Sequence, residues 1–269
     1  MRPIAVGTAI AWTLIMFASP AAAQNMDLQW KICPHQGDEY TAAQQVAACT
    51  EIIEAGNQTT PDRAIAYYDR GIAYSNMGDV DRAMADYGRS LELNPRYSDA
   101  YLNRGNLYYE RRDYTQAISD YNEAIRTDPL NFRAFVGRGN AYDDSGNPAR
   151  AIADYGEAIR ISPANPGARF NRAVTYDRQG QHSLAVADMN IAIRGDPQHA
   201  SYYFERGYAY EHLSKTNLAL ADYDKAIQLN SGYAKAYYRR SLVRRAMGKT
   251  ALADADLARA KAIDPSVAD

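Results

Sequence analysis

The chain holds few of the residues that chemistry usually needs. Its 269 residues include two cysteines, Cys33 and Cys49, and four histidines, His35, His182, His199 and His212. The cysteines form no C-x-x-C redox pair and no C-x-x-C-H haem site, and no cluster shows zinc-ligand spacing. There is no H-E-x-x-H, no Gly-rich phosphate loop and no G-x-S-x-G elbow, so the usual signatures of hydrolytic and nucleotide chemistry are missing. Asp143-Asp144 is a carboxylate pair. Adjacent helical residues point in different directions, so it reads as a solvated loop edge rather than an acid/base dyad. The formal net charge of −2 leaves no global basic field for nucleic acid. No enzymatic activity, cofactor or metal is expected.

Long apolar runs are also absent, except at the N-terminus. Arg2 gives a positive start, Ile4 to Phe17 an apolar stretch, and Ala21-Ala22-Ala23 a small-residue site before Gln24. This is the pattern of a cleavable signal peptide over residues 1–23. A membrane anchor is the alternative, but the run is short and breaks at Ser19-Pro20-Ala21. No later segment reaches the ~18 apolar residues of a spanning helix, so the mature chain is expected to be periplasmic or secreted, with no integral membrane segment. In an oxidising compartment Cys33 and Cys49 are expected to form a disulfide, stabilising the fold by about 3 kcal/mol in the chain-entropy model.

What the sequence does have is a period. Prolines at 61, 95, 129, 163, 197 and 265 fall on a 34-residue step, with Ser231 at the missing beat. Counted from Ala64, the eighth place holds Gly71, Gly105, Gly139, Ala173, Gly207 and Ser241. The twentieth is always alanine: Ala83, Ala117, Ala151, Ala185, Ala219 and Ala253. Aromatic rings dominate the fourth and eleventh places, as at Tyr101 and Tyr108. Rings three and four residues from small residues make one apolar stripe at helical period. Gly78, Gly146, Gly180 and Gly248 fall midway, where a left-handed residue ends a helix. Asn147-Pro148 reads as the N-cap and first position of a second helix. The recurring proline interrupts continuous helix. Each repeat is thus a helix hairpin that buries its stripe only by stacking on its neighbours.

The small residues at the eighth and twentieth places and the proline at the thirty-second resemble the tetratricopeptide repeat family. The type is that of an exported bacterial protein with Arg-Gly and Asp-Tyr repeats. The resemblance implies an all-α, right-handed α-solenoid of about six helix-turn-helix repeats, at 64–97, 98–131, 132–165, 166–199, 200–233 and 234–267. Residues 24–63 read as an N-terminal cap and partial repeat. Counting back one period puts Gly37, Tyr40 and Cys49 at the eighth, eleventh and twentieth places, with Pro34 spoiling the first helix and Gln44 to Ala55 suiting the second.

One pattern departs from the family. The seventh place, where it usually has a large apolar residue, is arginine throughout: Arg70, Arg104, Arg138, Arg172, Arg206 and Arg240. The twenty-third is aspartate throughout: Asp86, Asp120, Asp154, Asp188, Asp222 and Asp256. These are read as structural ion pairs in which each guanidinium forks onto a carboxylate of the same repeat or the next. A ligand-binding arginine row is the alternative. Partly buried pairs of this kind add little net stability, yet truncating one partner strands the other, at about 3–5 kcal/mol if fully buried.

In the family the inner surface is lined by the second, fifth, sixth, ninth, twelfth and thirteenth places of each first helix. Carried over, that gives Asn103, Asn106, Tyr109, Arg133, Val136, Asn140, Phe170, Asn171, Val174, Phe204, Glu205, Tyr208 and Glu211. The asparagines suit an extended peptide backbone, and Phe170, Phe204 and Tyr208 suit apolar side chains. A chaperone-tail clamp would need lysine at the fifth place, where Leu102, Val136 and Phe170 stand. Lys235, Arg239, Arg240, Arg244, Arg245 and Lys249 form a basic cluster, read as a solvated terminal face, with an acidic partner or membrane headgroups as alternatives. The expected function is a non-catalytic scaffold holding a protein or extended peptide. Self-association in envelope assembly and contact with cell-wall glycan remain the alternatives.

Overall fold

The computed structural model describes residues 20–34 and 39–267. Residues 1–19 of the expected export signal, and also His35 and Gly37, lie outside them. The described residues form fourteen helices and no strand, in two compact units that meet in sequence between Asn94 and Pro95.

The N-terminal unit contains α1 (Pro20–Ile32), α2 (Ala42–Glu54), α3 (Thr60–Asn76) and α4 (Val80–Leu93). Cys33 and Cys49 are joined by a disulfide, and their sulfurs are buried with Ala48, Ile52 and Ala66. The register counted back over residues 24–63 does not hold. Tyr40 lies in no helix; it precedes Thr41, the N-cap of α2. Thr41 and Gln44 form a reciprocal capping box that fixes where α2 starts. The first helix lies further upstream and stops at Ile32, ahead of Pro34, which cannot donate and restricts its predecessor. Pro61 differs from the later prolines by sitting in the first turn of α3, where its missing donor costs nothing.

The C-terminal unit contains five hairpins: α5 (Ser98–Glu110) with α6 (Tyr114–Thr127), α7 (Phe132–Asp144) with α8 (Pro148–Ile161), α9 (Pro166–Arg178) with α10 (His182–Gly195), α11 (Ala200–His212) with α12 (Thr216–Leu229), and α13 (Ala234–Ala246) with α14 (Thr250–Ile263). The turn inside each needs one left-handed residue. Gly146, Gly180 and Gly248 supply φ of 80°, 72° and 73°, while Arg112 and Ser214 adopt 60° and 57°. Asn147 caps α8 by position, but its side chain bonds Ser145 rather than the helix amides.

The glycine of the eighth place has a different cause. A Cβ at Gly139 would lie 2.6 Å from the Tyr155 ring, and one at Gly105 or Gly207 would lie 3.0 Å from Tyr121 or Tyr223. These rings are buried in the hairpin seam, so the missing side chain makes their space. Where the eighth place carries a side chain, at Ala173 and Ser241, the ring gives way to Met189 and Leu257.

The seam also holds the charges. In all six repeats the Arg Nε and Nη2 donate to the two oxygens of the Asp sixteen residues on, at 2.6–2.9 Å. Both partners belong to one repeat. The third nitrogen reaches backwards: Arg138 Nη1 donates to Asn122 at 2.6 Å, Arg206 Nη1 to Asn190 at 2.7 Å and Arg240 Nη1 to Asp224 at 2.6 Å. One guanidinium therefore joins three helices, the two of its own hairpin and the second helix of the hairpin before. The carboxylate keeps Arg104 charged beyond its usual range, chiefly through that bidentate hydrogen bond.

Within this unit α5 packs beside α7, α7 beside α9, α9 beside α11 and α11 beside α13, whereas the second helices make no comparable approach to one another. The first helices thus form the tighter, inner side of the stack.

Candidate functional site

Side chains at the second, fifth, sixth, ninth, twelfth and thirteenth places of a first helix project from this inner side. Two pockets open there. The first, of about 220 Å³, is lined by Tyr109 of α5, Asn140, Asp143 and Asp144 of α7, Tyr155 of α8, and Phe170, Asn171, Val174 and Arg178 of α9. The second, of about 350 Å³, is lined by Phe204, Glu205 and Tyr208 of α11, Lys235, Tyr238 and Arg239 of α13, and Val267.

The first pocket is framed by hydrogen bonds within and between repeats. Tyr155 Oη and Asn171 Nδ2 both donate to Asn140 Oδ1, at 2.8 and 2.9 Å. Tyr109 Oη donates to Asp144 Oδ2 at 2.5 Å, and Thr175 Oγ1 donates to Asp143 Oδ2 at 2.9 Å. Arg178 completes an ion pair with Asp143. Burial, then the bond to Asp144, raises the Tyr109 phenol and keeps it a donor. Asp143-Asp144 is therefore not a loop edge. Both close the last turn of α7, and the Asp143 side chain is only 10 % exposed. The two carboxylates serve different partners, which is not the arrangement of an acid/base dyad.

In the second pocket burial, followed by the charge of Asp177, pushes the Glu205 carboxyl up to about 7, while Lys235 and Arg178 act against the rise. Arg239 lies over the Tyr208 ring at 4.2 Å.

The structure sorts the residues carried over to the inner surface. Tyr109, Asn140, Phe170, Asn171 and Tyr208 line the pockets. Asn103, Asn106 and Arg133 line neither. Asn106 Oδ1, like that of Asn140, accepts from a seam tyrosine, here Tyr121 at 2.8 Å. The carbonyl end of these amides is thus committed to the seam, which leaves the amide nitrogen for other partners. Phe204 is a core residue, 8 % exposed and 5.0 Å from the Tyr233 ring, although its edge reaches the second pocket. The basic cluster does not form one face. Arg240 and Arg244 turn inward onto Asp256, Arg245 pairs with Asp254, and Lys235 and Arg239 enter the second pocket. Asp143, Asp144, Arg178, Lys235, Tyr238 and Arg239 were missed, although the same register of six places points to each. Among the described residues no helix is long and apolar enough to cross a membrane, and no group of three His, Cys, Asp or Glu is placed to hold a metal ion.

Hairpins of this length, stacked with an inner row of first helices, define a helical-repeat scaffold. A family model described as tetratricopeptide repeat matches residues 68–132, 102–166, 136–200 and 170–234, and a second of the same description matches 234–267. The chain belongs to the tetratricopeptide repeat family. No curated protein matches it. Among solved structures it is similar to YrrB, described as a tetratricopeptide protein with an unusual peptide-binding site, at 25 % identity over 72 % of this chain and 98 % of that one, TM-score 0.61. A tetratricopeptide protein from Parabacteroides merdae aligns at 20 % identity over 90 % of this chain and 93 % of its own, TM-score 0.66. PilF of Pseudomonas aeruginosa aligns at 18 % identity over 77 % and 95 %, TM-score 0.68.

Proposed function

We propose that the chain is a non-catalytic scaffold, exported to the periplasm, that holds an extended segment of a partner protein along the inner wall of its C-terminal unit. One observation carries the reading. Both pockets are lined almost entirely by one register of places on successive first helices, so a single extended guest running across α5 to α13 meets both. Outward amide nitrogens at Asn140 suit a peptide backbone, and the Phe170 and Tyr208 rings suit its side chains. The peptide-binding site ascribed to YrrB supports the same use of the fold. Export rests on Arg2, the apolar Ile4–Phe17 stretch and the Cys33–Cys49 bond. The test is capture from periplasmic extract by immobilised wild type and by a Phe170→Ala/Tyr208→Ala variant. Loss of the captured protein supports the wall; equal capture by both contradicts it.

Self-association is a second reading, favoured by one feature. Leu184, Leu218 and Leu252 occupy the same place at the start of α10, α12 and α14 and are 49 %, 48 % and 51 % exposed. Light scattering over a concentration series tests it, a constant monomer mass excluding this role for the row.

A further inference from the structure

We infer that the pocket over Asp143 and Asp144 receives an arginine side chain of the bound segment. The inference rests on the groove reading above and gives it a chemistry. Each carboxylate uses one oxygen within the chain: Asp144 Oδ2 accepts from Tyr109, and Asp143 Oδ2 accepts from Thr175 and Arg178. Among the described residues no hydrogen bond reaches their Oδ1 atoms or Asn171 Oδ1, whose amide nitrogen donates to Asn140. The groups left over are therefore mainly acceptors, and the guest that satisfies them donates without accepting. Guanidinium and ammonium do that, as do imidazolium and the indole N–H, and of these the permanent cations also complement the carboxylate charge. The charge agrees, since two carboxylates face the single cation Arg178.

Shape selects between the two cations. Tyr109, Tyr155 and Phe170 wall the pocket, and a planar guanidinium stacks on such rings while its fork meets carboxylates, whereas a lysine ammonium is a strongly hydrated point charge. The protein also supplies its own example. The Arg178 guanidinium reaches in from α9 to Asp143 of α7 and stops there, leaving Asp144 of the same turn with an unused oxygen. A guest arginine repeats that contact one residue further along. A segment bound this way is basic at the first pocket.

The experiment uses the full mature chain and fluorescent nonapeptide pools, degenerate at eight positions with arginine, citrulline, lysine or glutamate fixed at the centre. Citrulline keeps the shape of arginine and removes its charge. Anisotropy at low salt should show the arginine pool binding about tenfold tighter than the citrulline pool, as expected for a charge-assisted pair. Asp144→Asn should erase that preference, so that the arginine and citrulline pools then bind alike, with the fold checked by the melting temperature. Equal binding of the arginine and citrulline pools to wild type would overturn the assignment and leave the groove standing. A preference that survives Asp144→Asn and disappears in Glu205→Gln would also overturn it, by moving the basic residue to the second pocket. If no pool binds, the groove reading fails and this inference with it.

Discussion

The seam between paired helices and the inner wall of the C-terminal unit are built on the same first helices, yet they differ in kind. Along the seam every repeat carries the same arginine and the same aspartate in the same bidentate contact. Along the wall the residue type changes from repeat to repeat: the sixth place runs Asn103, Gly137, Asn171, Glu205 and Arg239. Repetition marks what each hairpin needs in order to stack. Variety marks positions that stacking does not tie to one residue type, and several of them line the two pockets. A charge in this molecule is therefore interpreted by its register first and its type second. Arg138 is a bracket holding three helices, while Arg178 and Arg239, elsewhere on first helices, line the pockets of the inner wall.

The sharpest way to break the comparison is in the seam. Arg138→Met should destabilise the protein by about 3 kcal/mol, because the Asp154 side chain, 8 % exposed, is left without its partner. The double change Arg138→Met/Asp154→Leu should recover most of that loss in denaturant unfolding. Strictly additive losses would show the two side chains to be uncoupled. Next in size is the fit of ring to glycine. Gly139→Ala should cost about 2 kcal/mol, since its Cβ would fall 2.6 Å from the Tyr155 ring. Adding Tyr155→Met should restore stability, because the fourth repeat already pairs Ala173 with Met189. A third effect separates the wall by pH. Glu205 has a folded value of about 7 against an ordinary 4.5. The unfolded chain therefore releases this proton first as pH rises. Stability should fall between pH 4.5 and 7 by on the order of 1 kcal/mol and then level off. Glu205→Gln should remove that component from the pH profile. The smallest effect is expected at Asp144, where Asn should change stability by less than about 0.5 kcal/mol.

The parts of the fold that the sequence revealed are those in which one residue type has one physical cause. Proline at a turn, glycine at a left-handed position and alanine at a close approach each admit few alternatives, so their period located the hairpins. The Arg–Asp contact was legible because opposite charges recurred at fixed spacing. Its third nitrogen was not, because the bond from Arg138 to Asn122 depends on how neighbouring hairpins stack. Within residues 24–63 the helix expected over Gln44 to Ala55 is α2, but the register was misplaced by extending the period past the point where it stops. The local T-x-x-Q box at Thr41 and Gln44 carried the true start of α2. On the wall, register told which places face inward but not how deep each lies. Phe204 is sunk against Tyr223 and Tyr233, whereas Phe170, at the same place in the preceding hairpin, opens into a pocket. The amides at Asn106 and Asn140 looked free in sequence, and only the tyrosine hydroxyls that bond them show which end is available.

The division between seam and wall is tested most directly by capturing the partner with three immobilised proteins side by side: wild type, the seam variant Arg138→Met/Asp154→Leu and the wall variant Phe170→Ala/Tyr208→Ala, each shown to be folded by its helical circular dichroism. The seam variant should retain the protein that wild type captures, and the wall variant should lose it. Retention by the wall variant together with loss by the seam variant would contradict the account, because the repeated charges would then be the binding site and the varied surface mere packaging.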